Sequence, residues 1–168
     1  MSVRATISAF GRLQRSNTAF FVCDIQEKFR TGIHAFPSLV SVAQKMIKAA
    51  NVLEVPYIIT EQYPKGLGNT VPELDVENAA AVVPKTKFSM LVPEVETKLK
   101  EFQTKSVVIF GIERLSKAGA HIASSETVIF QLTESASDPK FKQISALVKE
   151  YQQAARENAL LFKDNVSL

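Results

Sequence analysis

Residues 18–25 read Thr-Ala-Phe-Phe-Val-Cys-Asp-Ile, an almost unbroken apolar run of aromatic and β-branched side chains that meets a carboxylate near its end. A strand with one wet face would alternate apolar and polar positions. A continuous run predicts a strand buried on both faces, the kind found in parallel sheets. The pattern recurs downstream in VPYIIT (55–60), more weakly in AAVVP (80–84), and most clearly in KSVVIFG (105–111). Helical spacing separates these runs. After Phe36-Pro37-Ser38, the residues Leu39, Val42, Met46, Ala50 and Leu53 recur at three- and four-residue intervals. They form one apolar stripe, and Pro37 suits a first helical turn. Pro93 opens another helix, with Leu91 and Val92 leading into it and Val95, Leu99 and Phe102 on one face. Strand, helix, strand, loop, strand, helix, strand predicts an α/β domain with helices packed on a parallel sheet.

The last third is less regular. AHIA (120–123) reads as one more strand, and Ser124 or Ser125 as the cap of a helix through Val128, Ile129 and Leu132. Asp138-Pro139 reads as the cap and first turn of a final helix bearing Phe141, Ile144, Val148 and Tyr151. Beyond Gln152 the apolar signal fades into a tail. No internal repeat breaks the chain into modules.

Composition narrows the function. A chain of 168 residues, 46% hydrophobic and 22% charged, suits one globular domain. Its net charge is only +3, and Lys and Arg are interleaved with Asp and Glu. No clustered basic stripe suggests nucleic acid. A single cysteine, Cys23, excludes an intrachain disulfide and points to a reducing compartment. No apolar run reaches the length of a membrane span, so no membrane role is expected. The opening residues 1–16 carry Arg4, Arg12 and Arg15, several Ser/Thr and no acid, a faint likeness to a mitochondrial presequence. A loose basic end on a cytoplasmic protein is the plainer expectation.

Ligands of open parallel sheets sit beyond the carboxyl ends of the strands. That rule selects Asp24 after the first run, Thr60 and Glu61 after the second, Lys85 after the third and Glu113 after the fourth. A carboxylate and a lysine on neighbouring strand ends lower each other's cost of burial, although such a pair often has a purely structural role. Phe29, Tyr63 and Phe88 fall near the same crevice as candidate apolar walls. His34 and His121 share no ligand spacing, so no metal is expected. Lys65-Gly66-Leu67-Gly68 does not follow the first strand as a phosphate loop would, and reads as a turn. The first strand runs into Gln26-Glu27-Lys28, not glycines, which argues against a dinucleotide cofactor.

The segments FFVCDIQEKFR (20–30), IITEQYPKGLGNTVPEL (58–74), PKTKFSML (84–91) and VVIFGIE (107–113) resemble successive signatures of the isochorismatase-like cysteine hydrolases. SSETVIFQL (124–132) and DPKFKQISALVKE (138–150) resemble that family's C-terminal portion. The resemblance therefore spans residues 17–150, between an N-terminal extension and a tail at 151–168. It implies a three-layer αβα fold with a central parallel sheet, no cofactor, and hydrolysis of small molecules such as amides or vinyl ethers by an Asp-Lys-Cys triad. It places Asp24 at the general-base position, Lys85 at the triad lysine and Lys87 as an accessory cation. Gln26, Phe29, Glu61, Tyr63 and Phe88 become the candidate substrate contacts.

In that family a cysteine follows the Gly-Ile-Glu turn within a few residues. It stands at a helix start, where the helix dipole lowers the thiol pKa and free N–H groups can form an oxyanion hole. Here Gly111-Ile112-Glu113 leads into Arg114-Leu115-Ser116-Lys117-Ala118-Gly119, with no cysteine. By resemblance, one strand and its flanking helices are missing, as in a splice variant or an internally deleted copy. Cys23 precedes Asp24 on a strand, where neighbours point to opposite faces, so it is expected in the core. Ser116 has no accompanying base. The residues between 111 and 120 are also too few for a parallel crossover, which predicts an exposed edge on the fourth strand and a weakened C-terminal half. The expected function is a disabled hydrolase homologue that binds small molecules, or associates with itself or with full-length relatives. The alternatives are a hydrolase working through Asp24 and Lys85 by other means, and an unstable product without a function.

Overall fold

The computed structural model describes residues 13–111 and 124–156. Four strands, β1 (Thr18–Cys23), β2 (Tyr57–Gln62), β3 (Ala81–Lys85) and β4 (Ser106–Gly111), form a parallel sheet in the order β3-β2-β1-β4. The strand with the longest apolar run takes the central place, and all six of its residues are buried. Burial on both faces is what its composition predicts.

Helix α1 (Phe36–Leu53) covers one face of the sheet and α3 (Pro93–Glu101) the other, which makes the three layers. Phe20, Val22 and Ile59 pack towards α1 with Val40, Ala43, Met46, Ile47, Ala50 and Leu53. Phe21, Cys23, Ile58 and Val83 pack towards α3 with Met90, Val92 and Val95. Of the stripe predicted on α1, Met46, Ala50 and Leu53 lie in the core as expected, and its first two positions do not. Leu39 and Val42 lie at its half-buried margin, and Val40 and Ala43 take the core. Between β2 and β3 runs the one-turn helix α2 (Pro64–Leu67), where the sequence suggests only a turn; Gly68, at φ +78°, ends it.

The C-terminal part is three helices, α4 (Ser125–Thr133), α5 (Phe141–Glu150) and α6 (Gln152–Arg156). Ser124 caps α4 by accepting the backbone N–H of Thr127 at 3.2 Å. Asp138 does not cap α5 as expected. Its carboxylate accepts the N–H of Lys140 and pairs with Arg15, and the helix starts two residues later, at Phe141. The chain is still helical past Gln152, where the sequence suggests a tail. Ile129, Leu132, Ile144 and Leu147 bury against the α1 side of the core. Each such side chain contributes about 1.5–3 kcal/mol of transfer free energy. Around this seam lie the ion pairs Arg15–Asp138, Lys45–Glu126, Lys48–Glu150 and Glu54–Lys140. The strand expected at 120–123, Ser116 and the 112–119 connection lie outside the described residues.

Along β4 every residue is at least partly exposed, and Val107 reaches 38%, in contrast to the sealed β1. Among the described residues β4 pairs with β1 alone.

Candidate active site at the strand ends

Strand β1 ends one residue before Asp24, which adopts a left-handed backbone at φ 51°. Short polar side chains such as aspartate tolerate that conformation better than most. The turn breaks strand alternation and brings the carboxylate over Thr60 and Lys85. Thr60 donates its hydroxyl to Asp24 Oδ1 at 2.7 Å, and Lys85 Nζ donates to Oδ2 at 2.7 Å.

Lys85 is the last residue of β3 and its side chain is only 1% exposed. Its ammonium protons are shared among Asp24, Gln62 Oε1 at 2.9 Å, and the carbonyls of Lys87 at 3.3 Å and Phe88 at 3.5 Å. A buried ammonium needs this surround of acceptors, because an unpaired one would be costly to desolvate. Gln62 in turn donates Nε2 to the Thr86 carbonyl at 2.9 Å, which holds the loop after β3 against β2.

Sequence reasoning did not assign Gln62 to the site. The signal was present, since Gln62 lies two residues beyond Thr60 and so shares its sheet face. Thr60 and Glu61 lie within β2, not beyond it, because the strand starts and ends two residues later than its apolar run suggests.

Two expected substrate contacts prove to be internal. Gln26 is fully buried and accepts the N–H of Gln62 at 2.7 Å. Its amide donates to the carbonyls of Gln62 at 3.0 Å and Gly68 at 2.6 Å. It ties three backbone segments together and has no surface left for a ligand. Glu61 is nine-tenths buried and accepts the N–H of Thr70 at 2.6 Å, so it braces the 68–71 loop. Phe29 packs on the α1 core cluster. Phe88 is 90% exposed, while Tyr63 lines a cavity. His34 is exposed, and no cluster of metal-binding side chains occurs among the described residues; His121 and Glu113 lie outside them.

The cavity measures about 460 Å³ and lies between the exits of β2 and β3 and the start of α3. Tyr63, Lys65, Lys85, Lys87, Val92 and Glu94 are among the residues that border it, and Asp24 is not.

Cys23 is fully buried in the cluster beneath α3, as expected from its strand position. Its backbone is also pressed by Gly111. A Cβ on Gly111 would lie 2.2 Å from the Cys23 carbonyl oxygen, and the φ of +135° suits glycine alone. The end of β4 therefore closes directly onto the strand that delivers Asp24.

Chemically, Asp24 can take a proton from a group brought beside it, and Lys85 can oppose developing negative charge. Both are preorganised. The nucleophile of a covalent mechanism must come from elsewhere.

Comparison with known proteins identifies the family and the fold. The Isochorismatase domain model matches residues 18–114. Isochorismatase domain-containing protein 1 of Danio rerio is 36% identical over 197 residues, covering 94% of this chain and 69% of that protein. Among solved structures, MAR1 ribonuclease from Caenorhabditis elegans superposes with a TM-score of 0.70 at 33% identity, covering 82% of this chain and 92% of that one. The YcaC gene product of Escherichia coli, described as an octameric hydrolase of unknown specificity, superposes with a TM-score of 0.73 at 16% identity. That match covers 91% of this chain and 98% of the other, and is a likeness of fold.

Proposed function

The chain belongs to the isochorismatase family, and on that premise we propose that it is a member without its nucleophile, a binding or subunit-association protein and not a working hydrolase. One observation carries the reading: Asp24 and Lys85 are paired at 2.7 Å, while the chain's one cysteine is sealed in the core of the sheet. A thiol held there has neither exposure nor a helix start to generate a thiolate. The Danio rerio alignment also supports an internal deletion. It runs over 197 residues, yet engages 94% of a chain of only 168, so the matched stretch of the relative is the longer one.

The candidate catalytic pair is then a retained remnant, with Asp24 as base and Lys85 as anion stabiliser. Oligomerisation, as described for the octameric YcaC product, or pairing with a longer relative is the natural use of the half-open β4 edge. No helix among the described residues is long and apolar enough to cross a membrane. The cytoplasm remains the compartment this reading favours, with a mitochondrial address as the alternative.

The test offers the purified chain small amides, esters, a vinyl ether and an RNA oligonucleotide, with and without an alkylating thiol reagent. The expected result is no turnover above buffer. Turnover that the reagent abolishes sinks the proposal. Turnover that survives the reagent but is lost in Asp24→Asn instead establishes a hydrolase using the Asp24–Lys85 site.

A further inference from the structure

The sequence before β1 suggests a loose basic end, yet its last part is fastened at both sides. Leu13 is 8% exposed and lies in the apolar cluster that also holds Ile129, Leu132 and Ile144 of α4 and α5. Its N–H donates to Gln131 Oε1 on α4 at 3.4 Å. Two residues on, Arg15 pairs with Asp138 in the link between α4 and α5. Asp138 acts as a buckle. Its side chain is only 10% exposed, and its other oxygen accepts the N–H of Lys140 at 2.8 Å, just ahead of α5.

The sheet end is fixed as well. Residues 15–17 form a short 3-10 turn, in which the Asn17 N–H donates to the Gln14 carbonyl at 3.1 Å. The Asn17 carbonyl in turn accepts the N–H of Lys105 at 2.8 Å, at the foot of β4. Residues 13–17 therefore run from the foot of the sheet to the α4–α5 link. The other ion pairs of this region, Lys45–Glu126, Lys48–Glu150 and Glu54–Lys140, tie it to α1 and its C-terminal cap. The C-terminal helices are thus held by two separate parts of the chain, α1 and the segment ahead of β1.

We propose that residues 13–17 are a strap across the C-terminal helices. Closed, it holds α4 and α5 on α1; withdrawn, it releases them as a unit while the sheet stays folded. Any process that removes or grips the chain ahead of β1 then acts on a region more than a hundred residues away in sequence. The device involves neither Asp24 nor Lys85, so it stands apart from the hydrolase question.

Amide hydrogen exchange of the full chain, read segment by segment, tests the strap, because local and global opening leave different patterns. Leu13→Ala should speed exchange in 126–133 and 142–150 by roughly tenfold or more, since truncating a buried leucine costs at least that factor. Arg15→Ala should give the same pattern at roughly two- to fivefold, the range for a partly exposed pair. In both variants β1 and β2 should exchange as in the parent. Arg30→Ala removes an ion cluster with Glu27 and Glu73 outside the strap, and should leave α4 and α5 unchanged. If Leu13→Ala does not fold, Arg15→Ala alone decides. Exchange that rises equally in the sheet and the helices shows a general stabiliser and overturns the proposal. Unchanged exchange in α4 and α5 overturns it too.

Discussion

The strand-end site and the C-terminal helices are both fastened by ion pairs, yet the pairs differ in kind. At the site, Asp24 and Lys85 lie almost wholly out of water, and Thr60 and Gln62 hydrogen-bond to them. Around α4 and α5 two of the four pairs have an exposed partner, Lys48–Glu150 at 48% and 57% and Lys140–Glu54 with Glu54 at 82%. They surround an apolar seam of Ile129, Leu132 and Ile144. The buried pair fixes geometry, and removing one half of it is expensive. The exposed pairs mainly select a docking register, and the seam supplies the energy.

Breaking the buried pair should have the largest effect. Asp24→Ala leaves the Lys85 ammonium buried without its counter-charge and puts alanine in a left-handed backbone. A loss of about 3–5 kcal/mol is expected by urea denaturation. Asp24→Asn keeps the shape and the backbone preference, and should cost less. If Asp24→Ala were as stable as the parent, the pair would not be buried as described.

Cutting the seam comes next. Leu132→Ala should cost about 2–5 kcal/mol, with the spread set by how far the cavity collapses. The same melts should show whether α4 and α5 unfold with the sheet, in one cooperative transition, or before it. Separate transitions would confirm the weakened C-terminal half that the short connection predicts.

Removing a cap is a smaller change. Ser124→Ala should cost about 1 kcal/mol, and Ser124→Asn should restore most of it.

The rim pairs should matter least, and their signature is pH. The Glu126 carboxyl is pushed up by burial but held below its usual range by the hydrogen bond from Lys45. Asp138 is lowered by the N–H of Lys140 and by Arg15, and Glu54 by Lys140. Carboxylates with depressed folded-state values contribute stability above the ordinary carboxylate range, about 4, and lose it as pH falls through the depressed values. Melting temperature should therefore hold from neutral to about pH 5 and drop below about pH 4. A melting temperature that rises on acidification would contradict the assignment.

Much of this was legible in the chain. The run at 18–25 announces a central strand because a parallel sheet buries both its faces, and β1 is sealed accordingly. The pairing of Asp24 with Lys85 follows from strand ends that converge in an open α/β sheet. The roles of Gln26 and Glu61 were not legible, because a polar side chain beside a crevice looks the same in sequence whether it meets a ligand or a backbone amide. Only the loop positions decide, and those depend on tertiary contacts such as the Gln26–Thr70 bridge. The edge positions of α1 escaped for a similar reason, since helical periodicity gives the spacing of a stripe but not its rotation against the sheet.

The burial of Cys23 has a practical consequence. Because it is the chain's sole sulfhydryl and lies at zero exposure in the central strand, a labelling reagent can reach it only when the sheet parts. Its modification rate in native buffer, set against that of the denatured chain, would work as a built-in clock for the opening of the core, with no engineered probe.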